Sequence, residues 1–152
     1  METGISITNK TRVPFPRLPV LEIKQEILGE KYSLSIVFVS NAKSRELNKA
    51  YRGKDKATNI LSFPLTKSAG EIVLCPAVIT REAKERKFDK NFRELVGFLV
   101  IHGMLHLKGN VHSSRMEKAE NKYDQKYFGG NRHRLIANSS RGRRVRQRRE
   151  KS

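Results

Sequence analysis

The run Leu95–Leu107, LVGFLVIHGMLHL, constrains the fold of this chain more than any other stretch. Between Val96 and Ile101 it is apolar on every side of a helix, and such a helix must be enclosed by other elements rather than laid on a surface. It is too short to span a bilayer and contains two histidines, His102 and His106, so it reads as the core helix of a soluble domain. Its boundaries are also legible. Asp89 is expected to cap a helix running from about Asn91 to Leu107, and Gly109 to end it.

The elements expected around that helix are mixed. Ile5–Thr8 reads as a short strand, and Pro19 opens a helix through Leu28 that Gly29 stops. LSIVFV, Leu34–Val39, is β-branched and aromatic and reads as a buried strand. Ser40 or Asn41 caps a helix from Ala42 to Tyr51, and a polar loop, YRGKDKATN, leads from it to a strand, NILSFP, that Pro64 ends. Gly70–Leu74 is a further strand. Pro76 starts a charged helix reaching roughly to Lys87, and an amphipathic helix spans Ser113–Phe128 before Gly129-Gly130. The expectation is one α+β domain over residues 1–137, with a small mixed sheet of about four strands and about five helices, and a disordered basic tail over 138–152.

Charge narrows the class of partner. The 152 residues hold 32 Lys+Arg against 15 Asp+Glu, a formal net charge of +17. Such an excess implies a polyanionic partner, either nucleic acid or an anionic membrane surface. The segment from Asn138 contributes six arginines, one lysine and one glutamate, so the body retains a charge of +11 without it. Cys75 is the single cysteine, which excludes an internal disulfide and suits a reducing compartment. The start, METGISITNKTRVPF, shows no secretory signal pattern, so a soluble intracellular protein is expected.

The chemistry concentrates in HGMLHLKGNVH, His102–His112, which holds three of the four histidines. His102 and His106 lie about 40° apart around a helix axis, so both imidazoles leave one side. Gly109 permits a chain reversal that can bring His112 to the same point. Three imidazoles leave a fourth tetrahedral position open, the arrangement of a catalytic zinc site at the end of the core helix, although nickel or copper would also fit. The spacing is similar to the ligand frame of metzincin proteases, but Gly103 stands where those enzymes carry the glutamate that handles the proton. With few carboxylates near the motif and cations in abundance, peptide hydrolysis loses ground and phosphodiester hydrolysis gains it.

Three blocks together resemble one family. HGMLHLKGNVH resembles the H-G-x-L-H-L-x-G-x-x-H signature of the YbeY family of metal-dependent endoribonucleases; YRGKDKATNILSFP (Tyr51–Pro64) and GEIVLCP (Gly70–Pro76) resemble its second and third blocks. The resemblance implies a zinc ion held by His102, His106 and His112, and Arg52 and His102 as catalytic residues. It also implies single-stranded RNA as substrate, a role in maturing 16S ribosomal RNA and in ribosome quality control, the small ribosomal subunit as partner, and a cytoplasmic location; no membrane association is expected, since the longest apolar run is too short to span a bilayer. Val111 departs from the aspartate that many members carry before the third histidine, and the arginine-rich tail lies outside the pattern.

Residue chemistry supports Arg52 independently, since a guanidinium can clamp a phosphate through two hydrogen bonds and stabilise charge that develops on it. Lys54 and Asp55 read as loop-shaping, Ser62 and Phe63 as structural residues at a strand end, His133 as solvated, and Cys75 as a small buried side chain. Two other readings stay open: a ribosome assembly factor with a structural metal and no catalysis, and a metallohydrolase of peptides or small amides. The oligomeric state is not encoded in any motif.

The tail generates a prediction of its own. Electrostatic binding to single strands weakens by roughly 0.7 log units per log unit of salt for each phosphate contact. Deleting residues 139–152 should weaken RNA binding at low salt and flatten its salt dependence, as measured by fluorescence anisotropy; identical slopes for both proteins would assign the tail no contact.

Overall fold

The computed structural model describes residues 4–109 and 113–129. Strand β1 (Ile5–Asn9), helix α1 (Val20–Ile27) and strand β2 (Ser33–Phe38) form a crossover unit whose two strands run parallel, with Ile7 opposite Ile36. Helix α2 (Asn41–Arg52) then leads to β3 (Ile60–Thr66) and β4 (Ala69–Leu74), an antiparallel hairpin in which Leu61 faces Val73. The sheet order is β1-β2-β4-β3, with β4 parallel to β2. Helices α3 (Pro76–Lys84), α4 (Phe92–Leu107) and α5 (Ser114–Asp124) follow, and a π-helical stretch, Gln125–Gly129, continues α5. A four-stranded mixed sheet with five α-helices is the expected α+β architecture.

Helix α4 is the centre of it. Leu95, Val96, Val100, Ile101 and Met104 have no exposed surface, and they join Ile23 of α1, Ile36 of β2 and Ile72 of β4 in one apolar cluster. Each such side chain contributes roughly 1.5–3 kcal/mol by leaving water. The helix can approach the sheet this closely because of Gly103. A Cβ there would stand 2.9 Å from Ile72 Cδ1 and 3.1 Å from Ile60 Cδ1. A second close approach occurs at Gly97, against whose backbone the ring of Phe128 packs.

Several boundaries differ from those expected. Asn91, not Asp89, caps α4: its side chain accepts from Glu94 N at 2.8 Å while Glu94 Oε1 accepts from Asn91 N at 3.1 Å, a reciprocal capping box. Asp89 instead adopts a positive φ of 55°, two residues before the cap. Helix α3 ends at Lys84 rather than near Lys87, because the chain turns through a positive φ at Arg86. Strand β3 continues past Pro64 to Thr66; β3 is an edge strand with a register irregularity between Pro64 and Thr66, where a missing amide hydrogen is tolerated. Ser62 and Phe63 therefore lie within the strand rather than at its end. The last α-helix stops at Asp124, and the π-helical stretch covers the remainder to Gly129. Ser40 is the α2 cap, accepting from Lys43 N at 3.1 Å.

The tight contact at Gly103 yields a sharp expectation. Gly103→Glu, which restores the protease-like motif, forces a carboxylate between two buried isoleucines. It should destabilise the domain by about 3–5 kcal/mol in urea unfolding. Gly103→Ala should cost less, because improved helix propensity of roughly 1 kcal/mol offsets part of the crowding. A Gly103→Glu protein as stable as the parent would place this face away from the sheet.

Candidate active site

The two histidines of α4 lie where the helix leaves the core. Their rings are 4.6 Å apart between centroids and inclined at 73°, so both imidazoles stand on one side of the last turn, as the four-residue spacing requires. Leu105 between them is buried and Gly103 faces the sheet, so the helix phase leaves little freedom for either ring. Beyond Leu107, Gly109 takes a φ of +108°, a reversal that a residue with a Cβ adopts rarely. His112, expected as the third member, lies outside the described residues, as do Val111, His133 and the segment from 138. Among the described residues no group of three or more His, Cys, Asp or Glu is arranged to hold a metal ion.

One partner of this site was not expected from sequence. Glu120, on α5, places Oε2 against Nδ1 of His102 in a short charge-assisted contact, and its side chain is only 6% exposed. The carboxylate orients the ring and favours the tautomer with its proton on Nδ1, so Nε2 presents a lone pair. The motif region thus holds a carboxylate after all, supplied from the following helix. Its signal was present in the spacing: Met116, Glu120 and Asp124 recur every four residues, and all three are buried. Asp124 in turn accepts from Lys90 Nζ at 3.1 Å in a nearly enclosed ion pair, with Lys90 also 5.2 Å from the centroid of the Phe98 ring. Lys90 thereby fixes α5 on α4, and with it the position of Glu120.

This donor set suits a divalent transition metal. Imidazole is a preferred ligand for such ions, and a ligand histidine commonly gives its other ring N–H to a carboxylate. His102 and His106 could hold the ion, with Glu120 supporting His102 from behind.

Arg52 is the last residue of α2, and not part of the following loop. Gly53 closes the helix in the left-handed region at φ 72°, with its N–H donating to Lys49 O at 3.1 Å. From there the Arg52 Nη2 donates to the carbonyl of Ile60 at 3.4 Å, and the side chain of Ile60 is one of the two lying against Gly103. Arg52 is thus tied to the strand that touches the histidine helix next to His102. Although the residue keeps an exposed surface, burial of its head pulls its pKa below the usual arginine value; a guanidinium stays charged there nonetheless.

The loop after Arg52 is laced to α2. Buried Ser44 exchanges hydrogen bonds with the backbone of Thr58, both 2.9 Å, and buried Asn48 donates to Lys56 O at 2.8 Å. Asp55 pairs with Arg45 at 2.7 Å, which holds its carboxyl below the usual carboxylate range. Asp55 is therefore a loop-shaping residue, as its setting in the sequence suggests. Cys75 is buried at the N-terminal cap of α3.

Comparison with known proteins places this arrangement. A protein-family model described as "Endoribonuclease YbeY" matches residues 14–128. A protein named endoribonuclease YbeY from Aromatoleum aromaticum is 36% identical over 123 residues, covering 79% of this chain and 78% of its own. A protein of that name from Cupriavidus metallidurans is 40% identical over 125 residues, covering 79% and 62%, and one from a Chelativorans strain is 42% identical over 97 residues, covering 58% of each. A solution structure from Thermotoga maritima superposes with a TM-score of 0.60 at 28% identity, over 91% of this chain and 98% of its own. A family model that matches this much of the chain, and relatives that agree over most of its length, settle the family: the chain belongs to the endoribonuclease YbeY family.

Proposed function

We propose that this protein is a metal-dependent endoribonuclease acting on single-stranded RNA, and that its cellular substrate is ribosomal RNA of the small subunit. The observation that carries the reading is the buried Glu120 carboxylate aligned on Nδ1 of His102, beside His106 at the end of the core helix. A carboxylate–imidazole pair pointing its free nitrogen outward is the construction of a metal ligand. Family membership supports the same activity, and the relatives' name gives RNA as the substrate class.

The division of labour follows from residue chemistry. His102 and His106 would hold a zinc ion, with His112 as third ligand. Zinc in such a site supplies a Lewis acid and a water whose pKa falls towards neutrality. Glu120 keeps His102 in the required tautomer. Arg52 binds a phosphate oxygen and offsets the charge that develops on the phosphate during the displacement. Gly103 argues against a protease-like mechanism, because the position after His102 faces Ile60 and Ile72, where a Cβ is already crowded. The excess of cations holds the RNA backbone and makes binding salt-dependent. No helix of the described residues is long and apolar enough to cross a membrane.

Metal analysis tests the ligands. The purified protein should carry about one equivalent of a transition metal, removed by His102→Ala or His106→Ala. Glu120→Gln should retain the fold and bind the metal about 10–100-fold more weakly. Full metal retention in both histidine variants would sink the assignment.

Arg52 is tested by turnover. Arg52→Ala should leave metal content unchanged and lower cleavage of single-stranded RNA by at least about tenfold, or about 1.4 kcal/mol of transition-state stabilisation. Unchanged cleavage would move the phosphate contact elsewhere, with Lys54 the next residue to examine.

A further inference from the structure

The face of the sheet turned away from α4 is not fully covered. A groove of about 610 Å³ runs along it between α2 and the strands, floored by Val37, Val39 and Val73, with Tyr51, Phe63 and Leu65 on one side. These floor residues form a small apolar cluster separate from the main core. Two of the most exposed large apolar side chains of the protein stand on its rim, Tyr51 at 67% and Leu65 at 63%. The Tyr51 and Phe63 rings meet edge to face at 4.9 Å, which fixes the tyrosine while leaving most of it open to solvent.

The charge around the groove selects its occupant. Lys10 and Lys43 line it, with Glu71 as the one carboxylate, and Glu71 accepts a hydrogen bond from Ser35 Oγ at 3.4 Å. The helix and loop beside it, residues 41–56, carry six basic residues against two acidic ones, and each of those two is paired within the segment, Glu46 with Lys43 and Asp55 with Arg45. An apolar peptide would give this excess of cations nothing to pair with. A single nucleic acid strand finds both things it needs, a cationic path for its phosphates and an aromatic face for a base.

We propose that Tyr51, steadied by Phe63, is a base-stacking platform of a subsite for single-stranded RNA, in which the strand lies along this groove and continues over the end of α2 to Arg52. The proposal rests on the nuclease reading for its substrate and adds the location of the flanking nucleotides. Tyr51 and Arg52 are adjacent in sequence and lie about 100° apart around the helix. The first therefore points to the groove and the second to the edge of β3 at Ile60. One strand crossing the helix end can give a phosphate to Arg52 and the neighbouring base to Tyr51. The subsite selects unpaired RNA, because a base inside a duplex cannot present its face to a ring on the protein surface.

The sequence contains no tryptophan, so Tyr51→Trp introduces a single fluorescent reporter in the platform. The full-length holoprotein is mixed in a stopped-flow instrument with a short uridine oligoribonucleotide, with inorganic polyphosphate of similar charge, or with duplex RNA. The oligoribonucleotide should quench the tryptophan, and neither of the others should. In parallel, Tyr51→Ala should weaken binding of the oligoribonucleotide by about 5–100-fold, with Tyr51→Phe close to the parent. Circular dichroism of Tyr51→Ala should match the parent, since the side chain is largely outside the core. Equal quenching by polyphosphate, a silent tryptophan, or undiminished binding by Tyr51→Ala each overturns the subsite. If those results appear while His102→Ala abolishes RNA cleavage, the subsite falls and the nuclease reading stands; if cleavage survives His102→Ala, the nuclease reading falls on its own.

Discussion

The contact between α4 and the sheet at Gly103 sets the terms for the rest of the molecule. A helix enclosed by strands and helices has a fixed rotational phase, because turning it would expose Leu95, Val96, Val100, Ile101 and Met104, now without any accessible surface. With Gly103 pressed on Ile60 and Ile72, the neighbouring His102 and the next-turn His106 must emerge beside the sheet edge and not towards it. The same packing removes the position that a protease of similar histidine spacing uses for its general base. The carboxylate that does meet His102 comes from α5, where Glu120 is buried beside the Asp124–Lys90 ion pair.

The sheet then separates two kinds of surface. One face is consumed by α4 and α1 and carries the large apolar cluster. The other is only partly covered by α2 and retains a groove with an aromatic rim and lysines at its walls. Helix α2 connects the two, because its last residues point to different places: Tyr51 to the groove and Arg52 to the strand beside the histidine helix. Gly53 is what lets the helix stop there, in a left-handed conformation that ends it abruptly and turns the chain into a loop bound back by Ser44 and Asn48. Arg52 itself is tied to β3 by its hydrogen bond to the carbonyl of Ile60.

Much of this was legible in the order of residues. The β-branched run LSIVFV gave strand β2, the all-round apolar run gave the buried helix, and Gly109 follows α4 in the left-handed region as expected. Where sequence reasoning missed, a neighbour decided. Asp89 and Asn91 are equally good caps by residue type, and the reciprocal bond with Glu94 chose Asn91. Pro64 reads as a strand end, but on an edge strand its missing N–H has no partner to disappoint, so the strand runs on to Thr66.

What the sequence determined by itself is local and periodic. The four-residue interval of His102 and His106 places both rings on one side of any helix, and the net charge of +17 is set whatever the fold. What only the tertiary structure decided is long-range: that Gly103 is a packing contact against the sheet, that Glu120, eighteen residues further along the chain, is the carboxylate on His102, and that Tyr51 and Phe63 meet on one side of a groove. The physical reason is that composition and periodicity fix which face of an element is apolar, whereas the partner of a buried polar group is set by which elements pack together. A carboxylate buried on one helix is costly until another helix brings it a cation or an imidazole, and that pairing exists only in the folded chain.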